Sequence, residues 1–168
     1  FDDDSDRIAM LQILDAILPK HKIELVAWCL MGNHIHLLIN DPDDHMSEAI
    51  HAIAVSYAGR YNAHTGHIGH VFQERFWDSP IKSEEYLLEA IRYVHLNPQK
   101  AGLAAYDDYP WSSHREYLMG AKSRPHVCES VVDALFPTPL SYLQFMESVP
   151  ALPYRPSATA KVSEEDLS

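Results

Sequence analysis

The run from Val26 to Asn40, Val-Ala-Trp-Cys-Leu-Met-Gly-Asn-His-Ile-His-Leu-Leu-Ile-Asn, constrains the fold of this chain more than any other. Two apolar stretches flank Met31-Gly32-Asn33, which reads as a tight turn, so residues 23–30 and 34–40 are expected to pair as an antiparallel hairpin. Side chains at i and i+2 of a strand share a face. His34 and His36 therefore project together, and Ile35, Leu37 and Ile39 face the other way. One face packs, and the other presents two imidazoles that could bind a metal. A lone His-x-His is short enough to arise by chance, so the alternative, two half-exposed strand histidines without a ligand, stands until the rest of the chain is weighed.

At 168 residues the chain suits one domain with a sizeable core, and 46% hydrophobic with 22% charged residues is ordinary for a globular protein. No apolar run approaches the roughly 20 residues of a bilayer span, and no leader pattern opens the chain, so a soluble, cytoplasmic protein is expected. Cys29 and Cys128 are the only cysteines, and Cys29 sits in the apolar strand, which fits a reducing compartment without disulfides. The net charge of −11 argues against a generic polyanion binder, because nonspecific nucleic-acid affinity comes from Lys and Arg neutralising phosphates. The excess acid lies toward the two ends, however. From Gly59 to Lys100 five basic residues, Arg60, Arg75, Lys82, Arg92 and Lys100, balance five acidic ones, so a nucleic-acid site could exist locally there.

In chain order, the cluster Asp2-Asp3-Asp4-Ser5-Asp6 suits the first turn of a helix, whose dipole favours negative charge, and Ile8, Leu11, Leu14, Ala16 and Leu18 continue it as far as Pro19. After the hairpin, residues 46–64 carry apolar side chains at Ile50, Ile53, Ala54, Tyr57 and Tyr61 in a helical pattern. His64, His67 and His70 fall in what reads as a polar, glycine-bearing loop. Residues 71–81 alternate enough for a strand or bent hairpin, with Phe72, Phe76 and Trp77 supplying packing or base-stacking surface. Ser83 is a good N-cap, Glu84 and Glu85 favour the first turn, and Leu87, Leu88, Ile91 and Val94 form an apolar stripe, so a helix is expected over 83–97, ended by Pro98. Tyr93 and Asn97, at i and i+4, share one face of it. Short helices are expected near Ser112 and over 130–136 and 139–149, before a proline-rich, partly disordered acidic tail.

Several ordered blocks together resemble a known family. They are Leu-Met-Gly-Asn-His-Ile-His-Leu-Leu-Ile at 30–39, Gly-His-Val-Phe-Gln-Glu-Arg-Phe at 69–76, Tyr-Leu-Leu-Glu at 86–89, Arg-Tyr-Val-His-Leu-Asn-Pro-Gln-Lys-Ala-Gly-Leu at 92–103 and Tyr-Pro-Trp-Ser-Ser at 109–113. The combination resembles the single-tyrosine HUH transposases, in particular the REP-associated, IS200-like branch, over most of residues 1–118. The resemblance implies an α+β fold: a ferredoxin-like antiparallel sheet with helices packed on one face, the His-x-His on a central strand, and a nucleophilic tyrosine on a later helix. Residues 119–168 would form a helical extension and tail. In the family a first strand precedes the helix that begins here near Phe1, so either upstream residues exist or the sheet is completed another way.

The resemblance further implies that His34 and His36 bind a divalent ion with Asn97 as third protein ligand, and that Tyr93 attacks a DNA phosphate to give a 5′-phosphotyrosine and a free 3′-hydroxyl. Two imidazoles and an amide oxygen leave positions open for phosphate oxygens and water, which suits Mg²⁺ or Mn²⁺. A tyrosine hydroxyl ordinarily ionises near pH ~10, so the ion or a bound water must help remove its proton; His95 points elsewhere on the helix. Single-stranded hairpin DNA is the family's usual substrate, acted on by a monomer or homodimer. Gln73, Arg75, Lys82, Arg92 and Lys100 are the candidate DNA contacts. Two other readings remain: a domesticated hairpin-binding protein without turnover, and a zinc hydrolase using the His pair to activate water.

Overall fold

The computed structural model describes residues 1, 3–66, 71, 79–120 and 123–150. Helix α1 (Asp4–Ile17) starts where the acidic cluster predicts: the Asp3 carboxylate caps it by accepting from the Asp6 N–H at 3.0 Å, and Asp4 and Asp6 occupy the first turn. Its inward stripe is Ala9, Met10, Leu11, Leu14 and Ile17. Pro19 begins no further turn of α-helix; a short 3₁₀ turn (Leu18–His21) follows and closes at Lys22 in the left-handed region, φ 56°.

Strands β1 (Glu24–Leu30) and β2 (Ile35–Asn40) form the expected antiparallel hairpin, with Leu30 opposite Ile35, Cys29 opposite His36 and a bulge between Leu25 and Ala27. Every β1 residue after Glu24 is buried. On β2 the expected division of faces is reversed in degree. His36 and Leu38 are 8% and 7% exposed, whereas Ile35, Leu37 and Ile39 are half-buried. The histidine face is the better covered because helix α3 lies over it.

Among the described residues the sheet has two strands, and the second edge of β1 is taken up by the chain's later segment. The Leu30 N–H donates to the Trp111 carbonyl (2.8 Å), the Ser113 N–H to the Trp28 carbonyl (2.9 Å), and the Cys128 N–H to the Leu25 carbonyl (2.7 Å). The Tyr109 and Tyr117 hydroxyls donate to the carbonyls of Leu30 and Val26. Buried backbone groups must find such partners, so residues 109–128 are fastened along β1.

Helix α2 (Met46–Thr65) is entered through Asp41, whose carboxylate accepts from the N–H groups of His45 and Met46, and it buries Ala49, Ile53 and Tyr57 against α1 and the core. Helix α3 (Glu84–Lys100) is capped by Ser83, which accepts from the Tyr86 N–H, and packs on both strands. It runs past Pro98, contrary to the expectation that Pro98 ends it. Proline's φ suits a helix, and Pro98, two residues before the last residue Lys100, forfeits only one backbone bond, to Val94. The actual stop is Gly102 at φ 71°: its N–H donates to the Gln99 carbonyl, and that of Leu103 to the Pro98 carbonyl, a left-handed C-cap.

Helices α4 (His114–Tyr117), α5 (Glu129–Leu135) and α6 (Pro139–Glu147) follow. Val132, Phe136, Tyr142 and Met146 join the same hydrophobic core as β1 and α1, so the helical part of the extension is built into one unit with the hairpin. The architecture is α+β, as expected. The tail at 151–168, and most of the strand or hairpin expected over 71–81, lie outside the described residues. No helix is long and apolar enough to cross a membrane among the described residues.

Candidate active site

The hairpin turn and α3 bring three of the expected side chains together. His34 and His36 stand on one face of the hairpin with their Nε2 atoms 3.2 Å apart. The His34 Nδ1–H donates to the Asn33 amide oxygen at 2.8 Å, which leaves Nε2 of His34 with its lone pair. Burial, and then the neighbouring His34, push His36 down to about 4, so it is neutral at pH 7. Two imidazoles converging through Nε2 have the chemistry of a metal-binding pair. Ligand atoms about 2.0–2.1 Å from one ion and 90–110° apart lie about 2.9–3.4 Å from each other, which spans the observed separation.

Tyr93, on α3, lies edge-to-face with His36 at a centroid distance of 5.6 Å and an interplanar angle of 87°. The Lys100 ammonium stands 4.7 Å from the centroid of the same ring, two helical turns along. Desolvation lowers the Lys100 pKa from its ordinary value, partly opposed by Glu89. The tyrosine ring is thus bounded by an imidazole and a cation.

Asn97 sits one turn beyond Tyr93 on the same face, with its Nδ2 donating to the Tyr93 carbonyl at 2.8 Å. That bond leaves Oδ1 as the donor atom available to an ion. Among the described residues no group of three or more His, Cys, Asp or Glu is placed to hold a metal. The candidate donor set is therefore two imidazoles and an amide. Cys29, opposite His36 on β1, is held protonated by burial, which pushes its thiol up to about 12, and it offers no nucleophile.

The expected DNA contacts divide. Lys82 is exposed, ahead of α3, and Lys100 is at the Tyr93 ring. Gln73 and Arg75 lie outside the described residues, as do His67 and His70. Arg92 is a correction: it is 4% exposed, packed 4.2 Å from the Phe145 ring, with its guanidinium donating to the Ser148 carbonyl and hydroxyl. Its Nε faces Glu89 Oε2 at 3.2 Å without the alignment of a hydrogen bond. A charge spent inside the fold is not offered to phosphate. The i,i+3 spacing of Glu89 and Arg92 puts the two charges within reach of each other on one helix but carries no signal that the pair is buried.

With this geometry in view, comparison with known proteins gives consistent matches. Residues 1–97 match the model of the family described as "Transposase IS200 like". A Haemophilus influenzae protein described as a REP-associated tyrosine transposase is 28% identical over 109 residues, covering 57% of this chain and 62% of the relative. A REP-associated tyrosine transposase of Escherichia coli is 27% identical over 101 residues, 58% of each chain. The chain thus spans about three-fifths of the length of these curated relatives. A solved structure titled as the REP-associated tyrosine transposase bound to a REP hairpin superimposes with a TM-score of 0.62 at 19% identity, covering 94% of this chain and 81% of that one, which shows a shared fold.

Proposed function

The chain belongs to the IS200-like transposase family, and from that premise we propose that it cuts and rejoins single-stranded, hairpin-bearing DNA through a covalent bond to Tyr93. The observation that carries this reading is the convergence of the His34 and His36 Nε2 atoms, 3.2 Å apart, with the His36 ring edge-to-face against Tyr93. A metal hydrolase that activates water makes no use of a tyrosine at the pair, whereas a tyrosine packed against it suits a nucleophile. The hairpin-bound relative supplies the substrate class.

In the proposed reaction the Tyr93 oxygen attacks phosphorus as its proton leaves to solvent. The bond from phosphorus to the 3′ oxygen breaks, that oxygen takes up a proton, and the 5′ phosphate remains esterified to Tyr93. Attack by another 3′-hydroxyl reverses the step and joins strands. His34, His36 and the Asn97 Oδ1 would hold a divalent ion, Mg²⁺ or Mn²⁺, which supplies Lewis-acid polarisation of the scissile phosphate. His36 remains neutral through burial, Asn33 fixes the His34 tautomer, and His36 orients the tyrosine ring. Lys100 offers positive charge at the ring, where the phosphate must arrive, and Lys82, Gln73 and Arg75 contact flanking DNA.

Incubation of a labelled single-stranded hairpin with the protein and Mn²⁺, followed by a denaturing gel, tests the proposal. A protein-linked label that a chelator abolishes is expected. Cleavage without linkage would indicate hydrolysis instead, and binding without cleavage a domesticated hairpin binder.

A further inference from the structure

Beneath the candidate active site, on the inward side of α3, lies a chain of buried polar groups that the chemistry above does not use. His95 is 0% exposed, and its Nδ1 lies 2.8 Å from the Tyr142 hydroxyl. The same hydroxyl lies 2.7 Å from Nδ1 of His114, which is 1% exposed. On the far side, His95 Nε2 lies 2.8 Å from the Ser113 hydroxyl, which also accepts from the Trp28 N–H of β1 at 2.9 Å. A hydroxyl carries one proton, so Tyr142 donates to one imidazole and accepts from the N–H of the other. In either direction every nitrogen named here is satisfied, which is what allows such a chain to be buried.

A second link runs parallel to it. The Arg92 guanidinium reaches the carbonyls of Met146 and Ser148 and the Ser148 hydroxyl, and packs on Phe145. Arg92 and His95 bracket Tyr93 in the sequence, and both are bound to α6 or the residue that ends it. Apolar contact alone tolerates sliding of one helix on another, whereas directional hydrogen bonds fix register. The match to the transposase family stops at residue 97, so α6 lies beyond it.

We propose that α6 is a positioning element of the nucleophile helix: Tyr142 through His95, and Ser148 through Arg92, hold α3 in the orientation that presents Tyr93 and Asn97 to the imidazole pair. The inference rests on Tyr93 being the nucleophile. It makes residues 139–148 part of the catalytic unit, with Tyr142, remote from the reacting atoms, as a positioning residue.

The test is Tyr142→Phe in the full chain, which keeps the ring packed on Tyr117 and Phe136 and deletes only the hydroxyl. Hydrogen exchange at amides 92–97 should rise about tenfold while β1 amides hold, because two imidazole nitrogens lose their partner. Single-turnover linkage of hairpin DNA, at saturating DNA and Mn²⁺, should slow about tenfold with hairpin affinity within about twofold of wild type. His95→Gln, which retains a polar partner for Tyr142, should recover part of the rate lost in His95→Leu. If Tyr142→Phe does not fold, Ser148→Ala at the surface end of the second link should give the same pattern at about two- to threefold. Unchanged exchange at 92–97 overturns the inference, as does an unchanged rate in a protein whose wild type forms the adduct. A wild type that forms no adduct defeats the reading of Tyr93, and exchange then still decides whether α6 holds the helix.

Discussion

Tyr93 and His36 meet edge-to-face across the contact between α3 and β2, with ring centroids 5.6 Å apart and planes at 87°. The positive ring edge of one partner against the π face of the other is the arrangement aromatic pairs prefer. Here it joins the candidate nucleophile directly to a candidate metal ligand, so disturbance of the imidazole pair is felt at the tyrosine.

The first prediction concerns Asn33, which fixes the His34 tautomer through its amide oxygen. Asn33→Ala should lower Mn²⁺ affinity by about tenfold, the scale of losing a partner that orients a ligating histidine. His34→Ala or His36→Ala should abolish measurable binding. Isothermal titration calorimetry at pH 7.5 reads both.

A second prediction concerns pH. The folded-state pKa of His36, about 4, lies below the ordinary value of 6.5 because of burial, so the unfolded chain binds a proton that the folded one refuses. Its contribution to stability is complete above pH ~6.5 and is lost as pH falls toward ~4, amounting to roughly 3 kcal/mol across that window. Urea unfolding between pH 7.5 and 4.5 should show wild type losing more stability than His36→Gln. Parallel curves for the two proteins would remove the burial argument.

Two basic positions should behave oppositely. Arg92→Met takes the guanidinium away from the buried Glu89 carboxylate and releases α6, and should cost about 3 kcal/mol. Lys82→Gln, at an exposed site, should alter stability by less than about 0.5 kcal/mol yet reduce the slope of log affinity for hairpin DNA against log salt by about one. Denaturation and fluorescence anisotropy over a salt series separate the two effects.

At the end of α3, Gly102 adopts φ 71° with open space where a Cβ would stand. Gly102→Ala therefore meets only the conformational penalty of the left-handed region, about 1 kcal/mol. Thermal unfolding should detect that loss, without the larger effect expected of a clash.

Much of this was legible in the sequence because it rests on local chemistry. The acidic cluster ahead of Arg7, Ser83 and the Met31-Gly32-Asn33 turn announce their elements, and the strand period sets His34 beside His36. What was not legible depends on contacts between distant segments. The closure of β1 by residues 111–113, the burial of Arg92 under Phe145, and the sharing of the Tyr142 hydroxyl by His95 and His114 join positions tens of residues apart. No periodicity or spacing encodes such pairs. The reversed burial of the β2 faces has the same origin, since it depends on which side α3 comes to rest.

The most direct measurement is to digest the covalent complex formed with hairpin DNA and Mn²⁺ and identify the modified residue by mass spectrometry. A nucleotide attached through a 5′ phosphate to Tyr93, absent from Tyr93→Phe, is the predicted result. Attachment to another residue, or cut DNA with no modified peptide, would contradict the account.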